Sequence, residues 1–216
     1  PLYSSAASDV YKRQLLKKYN QSKPNLTDTE YAASIADLAA GKAGFWFMGN
    51  WSEEDLMKAA PGTDFGIMPL PTSNNARAYG NNSISVGVPG YFMIDNQQSK
   101  PEQRAGAIDF LTWLYLSPAG QKLVSGAPAA GGMNFIPVYK GTTVKATTFM
   151  ANEISTYVKA NRALEWMNTY YPAGGQELYG ASGQKFITDN ITSEQYAAEL
   201  EKAWKGSVKT WRGAKK

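Results

Sequence analysis

Residues 40–55 read AGKAGFWFMGNWSEED, and the fold turns on how this stretch is parsed. Gly41 is the stop of a preceding helix, the apolar run 43–48 reads as a buried strand, and Gly49-Asn50 turns the chain. Trp51 stands at that turn, just before a helix start at which Ser52 is the expected cap. Glu53, Glu54 and Asp55 then occupy the positive end of the helix dipole. An indole held at a strand-to-helix turn offers a ligand a flat apolar face with a polar edge. The competing reading makes Trp51 the first core residue after the strand.

Working outward, Thr27-Asp28-Thr29-Glu30 has the pattern of a capping box, and the helix after it presents Tyr31, Ile35, Leu38 and Ala39 on one face. Downstream, Pro61-Gly62 is a turn. Residues 64–70 form a second apolar strand that Pro69-Leu70-Pro71 terminates, and 72–82 is an Asn- and Gly-rich loop. Strands are expected over 84–88 and 91–94, broken by Pro89-Gly90. Pro101 opens a long helix with Ile108, Leu111, Leu114 and Tyr115 on its apolar face, and Ser117-Pro118 starts another that ends at Gly126. GAPAAGG, residues 126–132, is the most linker-like composition in the chain.

Residues 144–160 are expected to be helical. WMNTYYPAGG, residues 166–175, is an aromatic loop opening a helix over 176–190. Thr192-Ser193-Glu194-Gln195 forms a second capping box. The last helix lines up Tyr196, Leu200, Ala203, Trp204, Val208 and Trp211, a stripe at core spacing. Short strands separated by helices make the class α/β, helix-rich, with helices covering a mainly buried sheet.

Composition narrows the chemistry. The 216 residues are 43% hydrophobic, enough to bury a core. They include neither cysteine nor histidine, which excludes disulfides, cysteine-rich zinc sites, Ser-His-Asp or Cys-His catalysis and a histidine base. No cofactor or metal site is expected. The net charge of +4 comes from scattered lysines and a basic C-terminus rather than a clustered basic face, so nucleic acid is not an expected partner. Thirteen tyrosines and six tryptophans are the more pointed signal, since both rings pair an apolar face with a polar atom.

Residues 4–14, SSAASDVYKRQ, resemble the read-through translation of a transposase adaptor used in sequencing libraries. Residues 1–14 are therefore expected to be a scar, with the true N-terminus, its export signal and any lipid anchor missing.

The order AAGKAGFWFMGNW, FGIMPLP, YGNNSISVGVPGYFMID, PEQRAGAIDFLTWLYLSPAGQKLV and GGMNFIP resembles the second half of the carbohydrate-type (family 1) extracellular solute-binding proteins of ABC transporters. The resemblance implies a periplasmic-binding-protein-like fold of two α/β lobes closing on sugar. This chain would then hold mainly the C-terminal lobe: residues 15–82 as its first part, 83–126 returning to the N-terminal lobe, 127–134 crossing, and 135–216 as its second part. It implies a monomer whose partners are a sugar or oligosaccharide and ABC permease subunits. The protein would be extracellular, either periplasmic or held to the membrane only by a lipid anchor.

By the same resemblance Trp51, after Gly49-Asn50, matches the family's sugar-stacking tryptophan, with Asn50 beside it. A pyranose face is apolar and slightly positive and suits an indole. Gly131-Gly132 and Tyr170-Tyr171 map to further ligand contacts, and Gly80-Asn81 to the cleft mouth. For the glycines hinge flexibility is the equal alternative, and for the tyrosines surface packing.

Other functions ask for other residues. A glycoside hydrolase needs two carboxylates across the scissile bond, and Glu53, Glu54 and Asp55 all crowd one helix start. A polyamine site needs an aromatic cage with buried carboxylates, and an acidic sugar needs an Arg fork, for which Arg77, Arg104 and Arg162 are available. The expectation is a binding protein without catalytic residues.

Overall fold

The computed structural model describes residues 2–22, 30–88, 90–136, 145–166, 170–171 and 174–213. In chain order these carry helices α1 (Leu2–Tyr19), α2 (Tyr31–Ala39) and α3 (Glu53–Ala59), strand β1 (Ile84–Val86), and helices α4 (Pro101–Leu116), α5 (Pro118–Ser125) and α6 (Phe149–Lys159). Strand β2 (Ala163–Glu165) and helices α7 (Gly175–Ile187) and α8 (Ser193–Gly213) complete the order. The α/β, helix-rich class holds, with one two-stranded sheet, β1 against β2, among the described residues. The chain divides into two compact units, residues 1–47, 69–86 and 164–216, and residues 48–68 and 87–163.

In the first unit the core lies where α1, α7 and α8 pack together. Tyr179, Phe186, Tyr196 and Leu200 are its buried members, with Val10, Tyr171, Ile187, Ile191 and Ala203 against them. Phe186 and Tyr196 stack with ring centroids 5.1 Å apart. α8 begins as its capping box predicts: the Gln195 N–H donates to the Thr192 hydroxyl at 3.2 Å and the Thr192 N–H to Gln195 Oε1 at 2.8 Å. Tyr196 and Leu200 of the predicted stripe are buried and Ala203 packs beside them.

The segment expected to be a scar falls largely in α1, and it is in contact with this core. Tyr196, with no exposed surface, donates its hydroxyl proton to Asp9 Oδ2 at 2.9 Å and accepts from Arg13 Nε at 2.8 Å.

α2 ends as its sequence requires. Gly41 adopts φ +68°, the Gly41 N–H bonds the Leu38 carbonyl at 3.1 Å and the Lys42 N–H bonds the Asp37 carbonyl at 2.9 Å. The capping box read at residues 27–30 lies mostly outside the described residues, and α2 takes Glu30 as its N-cap without a side-chain bond.

In the second unit α4 and α5 pack as an angled pair joined at Ser117, whose Oγ accepts from the Gly120 N–H at 3.0 Å. Pro101 and Pro118 occupy first-turn positions, as expected. Leu56, Leu114, Val124, Ala146, Ala151 and Ile154 are buried in this unit.

Three predicted strands are corrected. Residues 43–48, 64–70 and 91–94 carry no ladder, and Phe45, Phe47, Met68, Tyr91, Phe92 and Met93 are exposed. A strand exists by pairing, and among the described residues no neighbour pairs with these runs. Trp46 packs against a ring, Tyr31 of α2, at 5.5 Å between centroids. The apolar face assigned to α4 is likewise only partly covered: Leu114 is buried, while Ile108 lies open with Phe110, Trp113 and Leu116. The helix read from 144 starts at Phe149, and β2 was hidden in the polar sequence before the aromatic loop.

Candidate ligand-binding site

The turn bearing Trp51 is built by residues 49–53. Asn50–Ser52 form a single 3₁₀ turn, closed by the Ser52 N–H onto the Gly49 carbonyl at 3.2 Å. The Ser52 hydroxyl donates to the same carbonyl at 2.8 Å. Ser52 is therefore not the cap expected from the sequence. A cap needs extended backbone, whereas Ser52 sits at φ −79°, ψ −6° and its buried hydroxyl ties the turn back on itself.

Trp51 is 64% exposed. The six-membered ring of its indole lies against Gly49, so close that a β-carbon there would fall 1.9 Å from Cζ3. The turn thus supports the ring from one side and leaves most of it to solvent.

Glu53 has a task the sequence reading missed. It is 5% exposed, and its Oε1 accepts a hydrogen bond at 2.8 Å from the N–H of Phe149, the first residue of α6. A carboxylate at that end of a helix meets both an unpaired donor and the positive end of the dipole. Its Oε2 and the Oγ of Ser125 are buried without hydrogen-bond partners among the described residues. The clue lay in spacing: positions 53, 56 and 60 share one helical face, and Leu56 and Ala60 are apolar. Glu54, one residue on, pairs with Lys58 at 2.7 Å.

Gly80 and Asn81 belong to a self-contained loop. Asn81 Oδ1 accepts from the Thr72 N–H at 2.6 Å, the Thr72 hydroxyl at 2.8 Å and the Ser73 N–H at 3.1 Å. Its Nδ2 donates to the carbonyls of Ser73 at 2.9 Å and Asn75 at 2.7 Å. Both amide protons are thus committed to the loop. Gly80, at φ +86°, faces Leu164 of β2.

Gly131 and Gly132 close a loop on the end of α5. Gly131 takes φ +78°, and a β-carbon on Gly132 would lie 2.2 Å from the backbone of Gly126. The N–H groups of Met133 and Phe135 bond the carbonyls of Leu123 at 3.0 Å and Val124 at 2.8 Å. Steric need accounts for Gly132 without a ligand.

The adjacent tyrosines divide. Tyr171 stacks on Tyr179 with centroids 4.5 Å apart at the edge of the core. Burial, then the Asp9 charge, push its hydroxyl up to about 12, against a smaller opposing pull from Arg13. Tyr170 is exposed and donates its hydroxyl proton to Glu165, which raises its pKa by that hydrogen bond and by the carboxylate charge.

Asn50, Trp51, Gly131 and Gly132 fall in the second unit; Gly80, Asn81, Tyr170 and Tyr171 fall in the first. Among the described residues no cluster of acidic side chains is placed to hold a metal ion, and no helix is long and apolar enough to cross a membrane.

The chain is 22% identical over 199 residues to the melibiose/raffinose/stachyose-binding protein MelE of Bacillus subtilis (strain 168), covering 91% of this chain. It spans 43% of that relative's length. No solved structure matches it significantly. The family described as bacterial extracellular solute-binding protein matches residues 3–122, more than half of the chain and including the whole of the Trp51 turn. By that match the chain belongs to the bacterial extracellular solute-binding protein family.

Proposed function

We propose that the chain is the C-terminal half of the substrate-binding component of an ABC importer, and that it captures a neutral sugar or oligosaccharide. The observation that carries the reading is Trp51, an exposed indole backed by Gly49 at a turn inside the family match. The raffinose-type saccharides named for MelE supply the ligand class to test first.

In this reading Trp51 stacks on a pyranose, with Asn50 beside it in the same turn; within the first unit Tyr170 is an exposed ring whose hydroxyl is oriented by Glu165. Contacts to both lobes of the whole protein would favour its closed state and deliver the sugar to permease subunits. The protein would work outside the membrane, as a monomer that is either periplasmic or lipid-anchored.

The family is one of solute-binding proteins, and the reading assigns no catalytic residue. A glycosidase needs a free pair, whereas Glu53 is buried against α6 and Glu54 is held by Lys58.

Calorimetric titration of the full-length protein with melibiose, raffinose and stachyose tests the reading. We expect saturable binding that Trp51→Ala weakens at least about tenfold, the equivalent of ~1.4 kcal/mol, and no release of reducing sugar from stachyose. Full affinity in Trp51→Ala removes the stacking assignment. Binding of spermidine in place of all three sugars removes the ligand class.

A further inference from the structure

Gly49 is not a glycine for the sake of its backbone. Its φ of −91° and ψ of 166° lie in the extended region that any residue adopts. What a side chain there would meet is the exposed ring of Trp51, which would have to move aside. A β-carbon at position 49 would stand 1.9, 2.2 and 2.3 Å from Cζ3, Cη2 and Cε3 of the indole, far inside any real contact. Gly44, five residues earlier, has open space in the same position. Nor can the ring escape by a shift of the turn, because the amide and hydroxyl of Ser52 both hold the Gly49 carbonyl. Ser52 is buried, and the next residue, Glu53, is bonded to α6.

We propose that Gly49 is a positioning residue for Trp51: its missing side chain is the space that fixes the indole's orientation, and Ser52 locks the carbonyl end of that space. A side chain at 49 drives the ring into another rotamer while the backbone stays as it is. The inference deepens the reading of Trp51 as the saccharide platform and rests on it. A ring preset in its binding orientation spares the ligand the cost of ordering it, so losing that preset lowers affinity.

The test uses the full-length protein with Gly49→Ala, Trp51→Ala and the double substitution, and raffinose as the probe. The near-UV circular dichroism of Trp51, taken as the difference between the parent and Trp51→Ala, is read first and needs no ligand. Gly49→Ala is expected to change that band with the melting temperature nearly unchanged. It is also expected to weaken raffinose about three- to tenfold, the cost of ordering one side chain, and to add nothing in the Trp51→Ala background. An unchanged band overturns the positioning role. A changed band with unchanged affinity overturns its purpose in binding. If Trp51→Ala itself binds raffinose as the parent does, the platform reading fails while the band still decides Gly49.

Discussion

The carboxylate of Glu53 accepts the backbone N–H of Phe149 at 2.8 Å, across 96 residues of sequence, and so joins the start of α3 to the start of α6. Glu53→Ala leaves a partly buried helix-end amide without this acceptor. We expect a loss of about 1–3 kcal/mol in denaturant-induced unfolding. Glu53→Gln keeps an acceptor oxygen in place and should lose less, since it also removes a buried carboxylate whose second oxygen has no hydrogen-bond partner among the described residues.

Asn81 offers a second test. Its side chain makes five hydrogen bonds to residues 72–75, so Asn81→Ala should open the loop rather than the core. Limited proteolysis is expected to cut within residues 72–82 several-fold faster, with a global melting change of no more than about 1 kcal/mol, in keeping with a local opening. Asn81→Asp, which keeps the acceptor and loses both donors, should fall between.

Deleting residues 1–14 removes Asp9 and Arg13, both partners of the Tyr196 hydroxyl, together with most of the helix packed on α7 and α8. The expected cost is at least about 1–3 kcal/mol, the penalty for one orphaned polar group, read as a lower denaturation midpoint. An unchanged midpoint would return this segment to the sequencing scar that its sequence resembles.

Alkaline pH provides a fourth measurement. Burial is the main cause raising the hydroxyls of Tyr171 and Tyr196 above the ordinary value of 10.0, Tyr171 to about 12. The folded chain therefore holds these protons more tightly than the unfolded chain. Their contribution is complete below pH 10 and is lost as pH rises through the folded values. Stability measured in urea should fall as pH rises from about 10 towards 12, and the fall should be shallower in Tyr171→Phe.

The helical part of this fold was legible in the sequence because its signals are local. A capping box, two prolines at first turns, Gly41 after α2 and the stripe Tyr196–Leu200–Ala203 act within one or two turns of helix. Of the strands only β1, inside the expected 84–88, was legible, because a strand is a relation between distant segments. Residues 43–48 and 91–94 have the right composition and no strand partner among the described residues, while β1 found its neighbour in Ala163–Glu165, a stretch with no strong pattern.

The candidate site divides in the same way. Trp51 stands out from the residues around it, and Gly49 was visible as a turn. The burial of Glu53, the enclosure of Asn81 and the inward turn of Tyr171 depend on residues far along the chain.

The stretch GAPAAGG has the composition of a swivel, yet its folding makes it a rigid elbow. The amides of Met133 and Phe135 are pinned to α5, the Asn134 N–H bonds the Gly126 carbonyl at 2.9 Å, and Gly132 rests on Gly126. Any movement of α5 must carry Phe135 with it. Residues 123–135 are therefore expected to move with α5 as one piece, as a lever arm would. Amide exchange at Met133, Asn134 and Phe135 as slow as that of α5 itself would be the signature of that stiffness.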